Sequence, residues 1–171
     1  MIGGWSAMRT LRPTPRNYWV AGESPKIACL RLDVMNSAIE WHDSELIAIN
    51  TVSAHDSVIV VDAYVHRSVE TPGVSRGEGG IQRVRINMRS VRIEGDAGEL
   101  PATIYDGTLG LGGEEHRNLI AFPLLFTGSA SLALTFLDRV LLVSGEHISI
   151  EADGDFRFIE IFDFTDDGSA N

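Results

Sequence analysis

Between residues 83 and 89 apolar and polar side chains alternate without interruption. Val84, Ile86 and Met88 form one set; Arg83, Arg85, Asn87 and Arg89 form the other. A period of two is the strand period, because successive side chains point to opposite faces. The orientation is also fixed, since a slip of one residue would bury all three guanidinium groups. The apolar set must therefore face a core.

The same grammar recurs along the chain. Residues 57–67 are a long β-branched run, and residues 27–34 and 45–53 are shorter strand candidates. Leu132, Leu134 and Phe136 alternate, as do Ile148 and Ile150, with residues 140–144 between them and residues 156–164 as a last strand. Asp106-Gly107, Asp138-Arg139, Gly145-Glu146 and Asp153-Gly154 read as tight turns. Many short strands between closely spaced turns predict an all-β, mainly antiparallel fold, a β-sandwich or a partly closed barrel. At most one short helix is expected, over residues 36–44, capped by Asn36 with Ala38, Ile39 and Trp41 inward. The alternation changes phase after Met88, which predicts a bulge or a sheet corner. Residues 70–80 hold four glycines and Pro72 and read as a mobile loop. The last strand carries apolar groups on both faces, which predicts a central position covered on both sides.

Residues 1–26, with Pro13, Pro15 and Pro25, form an extended arm; residues 27–165 form a single β domain; residues 166–171 form a frayed tail. The whole chain, 171 residues, is long enough to bury a core without a metal or disulfide. No cofactor is expected. The lone cysteine, Cys29, sits in the apolar run Ile27-Ala28-Cys29-Leu30 and reads as a small core residue in a reducing compartment. The start lacks the pattern of a secretory signal, and no apolar run approaches the roughly 20 residues of a membrane helix. The expected location is cytoplasmic, with no membrane partner. A net charge of −10 argues against a nucleic-acid partner, whose capture rests on basic groups.

Candidate chemistry is sparse. His42-Asp43 and His55-Asp56, with His66 further on, offer metal-ligand residue types, so His42, His55 and His66 are weak candidate ligands. Adjacent residues on a strand diverge, however, and turn capping by the aspartates is the simpler reading. The His-Asp dipeptide resembles that of the HD phosphohydrolases, but those set it in a helical bundle. Glu114-Glu115-His116 could serve acid–base chemistry, yet beside glycines it reads as a solvated tip. The glycines of residues 107–113 match neither nucleotide-binding glycine pattern, and no Gly-x-Ser-x-Gly occurs. Glu160 stands in phase with Phe156, Phe158, Phe162 and Phe164; a carboxylate among aromatics needs a partner or a function. His42, Asp43, His55 and Glu160 are therefore the candidate catalytic residues. Arg83, Arg85 and Arg89 are the candidate binding residues, suited to a small anionic ligand or an acidic protein partner, with pairing to the chain's own acids as the alternative.

Trp41-His42-Asp43-Ser44, Gly145-Glu146-His147-Ile148-Ser149-Ile150 and Phe158-Ile159-Glu160 together resemble small bacterial β-rich proteins of unknown function, some in toxin-immunity or signalling neighbourhoods. That resemblance implies an interaction protein and transfers no catalytic residue. The leading expectation is a non-catalytic binding or protein-interaction domain. The alternatives are a metal-dependent or acid/base hydrolase using a His/Asp/Glu cluster, and a small-ligand-binding barrel. A homo-oligomer is compatible with all three. If Cys29 is a core residue, a thiol reagent labels the unfolded chain much faster than the native one; equal rates contradict that placement.

Overall fold

The computed structural model describes residues 35–163. The arm, the strand expected at residues 27–34, Cys29 and the tail lie outside the described residues. Eleven strands follow in order: β1 (Asn36–Thr51), β2 (Asp56–Ser68), β3 (Gly77–Arg89), β4 (Arg92–Gly95), β5 (Ala102–Ile104), β6 (Asp106–Leu111), β7 (Glu114–Arg117), β8 (Leu119–Phe122), β9 (Leu124–Thr135), β10 (Val140–Ala152) and β11 (Arg157–Phe162). There is no helix among the described residues. The strands make one antiparallel sheet that curls into a half-barrel, in the order β5-β1-β2-β3-β10-β9-β6-β7. The long strands are shared: β1 carries both β5 and β8 on one edge, β10 carries β3 and β4, and β3 carries β10 and β11.

The alternation sorts as expected. Ile59, Val61, Ala63 and Val65 of β2 and Val84, Ile86 and Met88 of β3 line the concave face and are fully buried. Arg83, Arg85 and Arg89 point to the other face and are exposed. Leu132 and Leu134 of β9 and Ile148 and Ile150 of β10 complete the core.

The helix expected over residues 36–44 is instead the first half of β1. Asn36 caps nothing; its amide donates to the carbonyls of Val69 and Glu70. Ile39 and Trp41 are buried from a strand on the core face, and Ala38, paired with His66, is buried on the other; β1 then leaves its register after Glu40. From Glu40 to Glu45 it advances five residues while β2 passes from Tyr64 to Asp62, only two. The surplus residues form an excursion in which Asp43 takes the left-handed conformation, φ 64°. Ser44 fills the broken ladder: its hydroxyl donates to Glu40 O (2.6 Å) and accepts from Tyr64 N–H (2.9 Å).

Three further expectations change, and the phase change after Met88 is of the kind expected. Asp106-Gly107 is not a turn but the start of β6; the chain reverses at Gly112-Gly113, where φ is 60° and 98°. Gly145-Glu146 is not a turn but lies within β10, opposite a bulge in β9, which has two residues between Ala130 and Thr127 where β10 has one between Gly145 and His147; a Cβ at Gly145 would stand 2.4 Å from Arg89 O. The loop expected over residues 70–80 spans only residues 69–76, is tied by Ser68 Oγ to Arg76 O, and gives way to β3 at Gly77. The phase change after Met88 is a corner: β3 ends, Ser90 turns with φ 53°, and β4 pairs β10 further on.

Trp41 holds the curl closed. It is fully buried, and a Cβ at Gly107 would lie 2.4 Å from its Cγ, so β6 lies against the indole only because residue 107 has no side chain. Trp41→Ala is expected to cost about 3–5 kcal/mol, as for large aromatic truncations in cores. Gly107→Val should destabilise comparably by overpacking, read as a lowered urea midpoint in both variants; an unchanged midpoint for Gly107→Val would mean that β6 does not seat on Trp41.

Candidate functional site

The convex face of β1, β2, β3 and β11 carries a cleft of about 360 Å3, lined by Glu40, Asp43, Tyr64, His66, Glu160 and Phe162. Beneath these side chains runs the start of β3, where Gly77 and Gly79 lie on the cleft face, paired with Phe162 and Glu160. Glycine inside a strand commonly marks a close approach, and here it does. An added Cβ at Gly79 would stand 2.1 Å from Tyr64 Oη and 3.2 Å from Glu160 Cγ; one at Gly77 would stand 3.0 Å from the Phe162 ring. Side chains from β2 and β11 thus lie across β3 and meet above it.

Tyr64 Oη donates to Glu160 Oε1 at 2.5 Å. Burial, first, and the Glu160 hydrogen bond, second, raise the phenol well above its ordinary value; the charges of Glu160, Glu40 and Asp43 push the same way. Beside it, His66 Nε2 lies 2.5 Å from Glu40 Oε2. The imidazole is buried edge-on between Tyr64 (centroids 5.2 Å apart) and Phe162 (4.8 Å). Its Nδ1 is buried with no partner among the described residues. Of the two neutral tautomers, the one protonated on Nε2 fits: it donates to the carboxylate and leaves Nδ1 as a bare acceptor rather than an orphaned donor. Asp43 reaches the rim from the left-handed turn of the excursion.

The β11 register explains how Glu160 arrives there. Phe158 pairs with Gly80 and Glu160 with Gly79, so Ile159 is an extra residue. Gly80 also pairs with the core residue Val65, and Gly79 with His66. Paired residues share a face, so Phe158 lies on the concave side while Glu160 and Phe162 lie in the cleft. The expected phase relation between Glu160 and Phe158 is broken by that bulge. Nor is β11 a covered central strand: it pairs only with β3 among the described residues, and Phe158, Ile159 and Ile161 are 55%, 55% and 62% exposed.

Of the candidate residues, Asp43, His66 and Glu160 come together. His42 is next to the cleft but exposed, with Nδ1 3.6 Å from Asp43 Oδ1. His55 sits in the β1–β2 turn, where its carbonyl accepts Val91 N–H. Among the described residues no three His, Cys, Asp or Glu side chains are grouped to hold a metal ion. Glu114, Glu115 and His116 are exposed on strand β7, with Glu115 paired to Arg117. The arginine face is largely self-neutralised. Arg83 grips Asp62 with two bonds, Nε–Oδ1 at 2.7 Å and Nη2–Oδ2 at 2.9 Å. Arg85 donates to both oxygens of Asp153 at 2.9 Å. Arg89 has no ion-pair partner among the described residues. The hydrogen bond from Arg83 is the main cause holding the Asp62 carboxyl below its ordinary value, so this pair stabilises the fold above the ordinary carboxylate range and is lost as the pH falls through the lowered value.

Glu40 and Tyr64 carry no local motif and escape a reading of the sequence alone; glycines in an otherwise strand-like segment were the available signal. No family model, curated protein or solved structure matches the chain, so the geometry alone bears on function. Among the described residues no helix is long and apolar enough to cross a membrane.

Tyr64 provides a direct check. Its folded value is raised, so the stability it lends is complete below the ordinary phenol value of about 10 and is lost as the pH rises through the folded value. Urea midpoints should fall more steeply above about pH 10 for the native chain than for Tyr64→Phe, which also loses about 1 kcal/mol at pH 8 with its hydrogen bond. Parallel pH profiles would mean that the phenol is not confined as described.

Proposed function

We propose that this is a non-catalytic binding domain whose convex cleft receives a cationic group, a guanidinium or ammonium, of a protein partner. One observation carries the reading. Three carboxylates, Glu40, Asp43 and Glu160, surround two aromatic rings, and among the described residues no lysine or arginine lines the cleft. A cation entering there gains carboxylate hydrogen bonds and the faces or edges of Tyr64 and Phe162. The chain's charge of −10 adds long-range attraction for a basic partner.

The same geometry disfavours the alternatives. A small anionic ligand would need the guanidinium groups that Asp62 and Asp153 already hold. A hydrolase with a serine nucleophile would need a free hydroxyl beside the acid–base groups, whereas Ser44 Oγ is buried and engaged with Glu40 O and Tyr64 N–H. Among the described residues the concave side is packed with buried side chains such as Ile59, Ile86, Leu132 and Ile148, which disfavours a lipocalin-like ligand cavity there.

Calorimetric titration with N-acetylarginine amide tests this. Binding should weaken steeply as salt is raised, and Glu160→Gln should weaken it about fivefold, the worth of one partly exposed ion pair. Arg83→Ala should leave it unchanged. Equal binding of N-acetylglutamate amide, or indifference to Glu160→Gln, would overturn the reading.

A further inference from the structure

Strand β11 is unusual among the edges of this sheet. At the far end, β7 is guarded by Glu114, Glu115, His116 and Arg117, all exposed, as natural edge strands usually are. Over residues 157–161, β11 shows instead Phe158, Ile159 and Ile161, each more than half exposed, and no strand pairs with its outer edge among the described residues. The start of the strand is anchored: Phe156 packs beneath the Arg67 guanidinium, 3.9 Å from ring centroid to Cζ, and Arg67 in turn donates to Gln82. The bulge at Ile159 interrupts a regular ladder and so favours one register over indiscriminate pairing.

We propose that β11 is a docking edge for an extended segment of a partner protein in which basic and apolar residues alternate. The proposal rests on the cationic reading of the cleft and names the partner's form. Glu160 belongs both to the cleft and to β11. A strand laid antiparallel along β11 puts its side chains roughly 5 Å from those directly opposite, so a lysine or arginine there reaches Glu160 and the cleft beyond it. Phe158 and Ile161 stand on the concave side, opposite Gly80 and Glu78, and call for apolar residues at the alternate positions. Main-chain hydrogen bonds then supply affinity and the two faces supply selectivity, as in other strand-addition complexes. A second copy of the chain is a poor occupant, since each copy carries −10 and self-pairing brings Glu160 towards its equivalent.

The test compares three probes on the full chain: N-acetylarginine amide, a capped Val-Arg-Val-Arg-Val-Arg peptide, and its Val-Glu-Val-Glu-Val-Glu counterpart. Affinity is read by calorimetry and β11 amide protection by hydrogen exchange. The arginine peptide should bind at least about tenfold tighter than the amide, by adding main-chain bonds, and should slow exchange at Ile159 to Ile161. Ile161→Lys, at an exposed position, should erase that gain while leaving the amide's affinity within about twofold. Equal affinity of peptide and amide, no added protection of β11, or an unaffected Ile161→Lys variant would overturn strand docking and leave the cleft reading standing. Equal binding of the glutamate peptide with β11 protected would keep the edge but overturn the basic partner and the cleft reading together. Protection of β11 by self-association without peptide would assign the edge to a second copy and refute the proposal.

Discussion

The seating of Trp41 against Gly107 governs both the curl of the sheet and the shape of the cleft. An indole needs depth, and the concave face supplies it only where β6 has no side chain. With Trp41 turned fully inward, the following residues cannot keep pace with β2, and the chain bulges to the convex side. That excursion lifts Asp43 to the rim of the cleft and leaves a gap in the ladder that Ser44 fills. Core packing on one face of β1 thus builds part of the candidate site on the other, and changes to the core should be felt at the cleft.

The convex face solves its electrostatics in two ways, side by side. Around Asp62 and Asp153 each carboxylate is matched by an arginine, Asp62 through two nitrogens of Arg83 and Asp153 through Nη2 of Arg85. Around Glu40, Asp43 and Glu160 there is no such match among the described residues. The carboxylates are held by a phenol and an imidazole, which satisfy hydrogen bonds without supplying an arginine's permanent charge. Strands β2 and β3 pass through both regions, so the difference lies in the side chains and not in the scaffold. Glycines set it up: at Gly77 and Gly79 the absent side chains let rings and carboxylates converge from neighbouring strands.

What could be read from the residues followed the physics of periodicity. The β3 alternation was legible because one of its faces is fully buried, which leaves a single register. Bulges and two-sided burial were not. Ala38, Ile39 and Trp41 mimic a helical stripe because β1 is buried there on both faces, Ala38 on one and Ile39 and Trp41 on the other. Gly145-Glu146 has turn chemistry, but a glycine that must pass within reach of Arg89 O serves the inside of a strand equally well. The one extra residue at Ile159 turned Glu160 away from the phenylalanine it matched in the sequence. Glu160 and His66 could be picked out singly, but their partners Tyr64 and Glu40 come from other strands. Cross-strand neighbours leave no trace in local spacing.

The central claim is that the convex cleft is a cation site while the arginine face beside it is spent on internal pairs. Nuclear magnetic resonance mapping with N-acetylarginine amide, with N-acetylglutamate amide as control, addresses it most directly. The account predicts that the arginine probe moves the signals of Tyr64, His66 and Glu160 and spares those of Arg83 and Arg85. The glutamate probe should move neither set. Shifts centred on Arg83 and Arg85, produced by the glutamate probe, would contradict it.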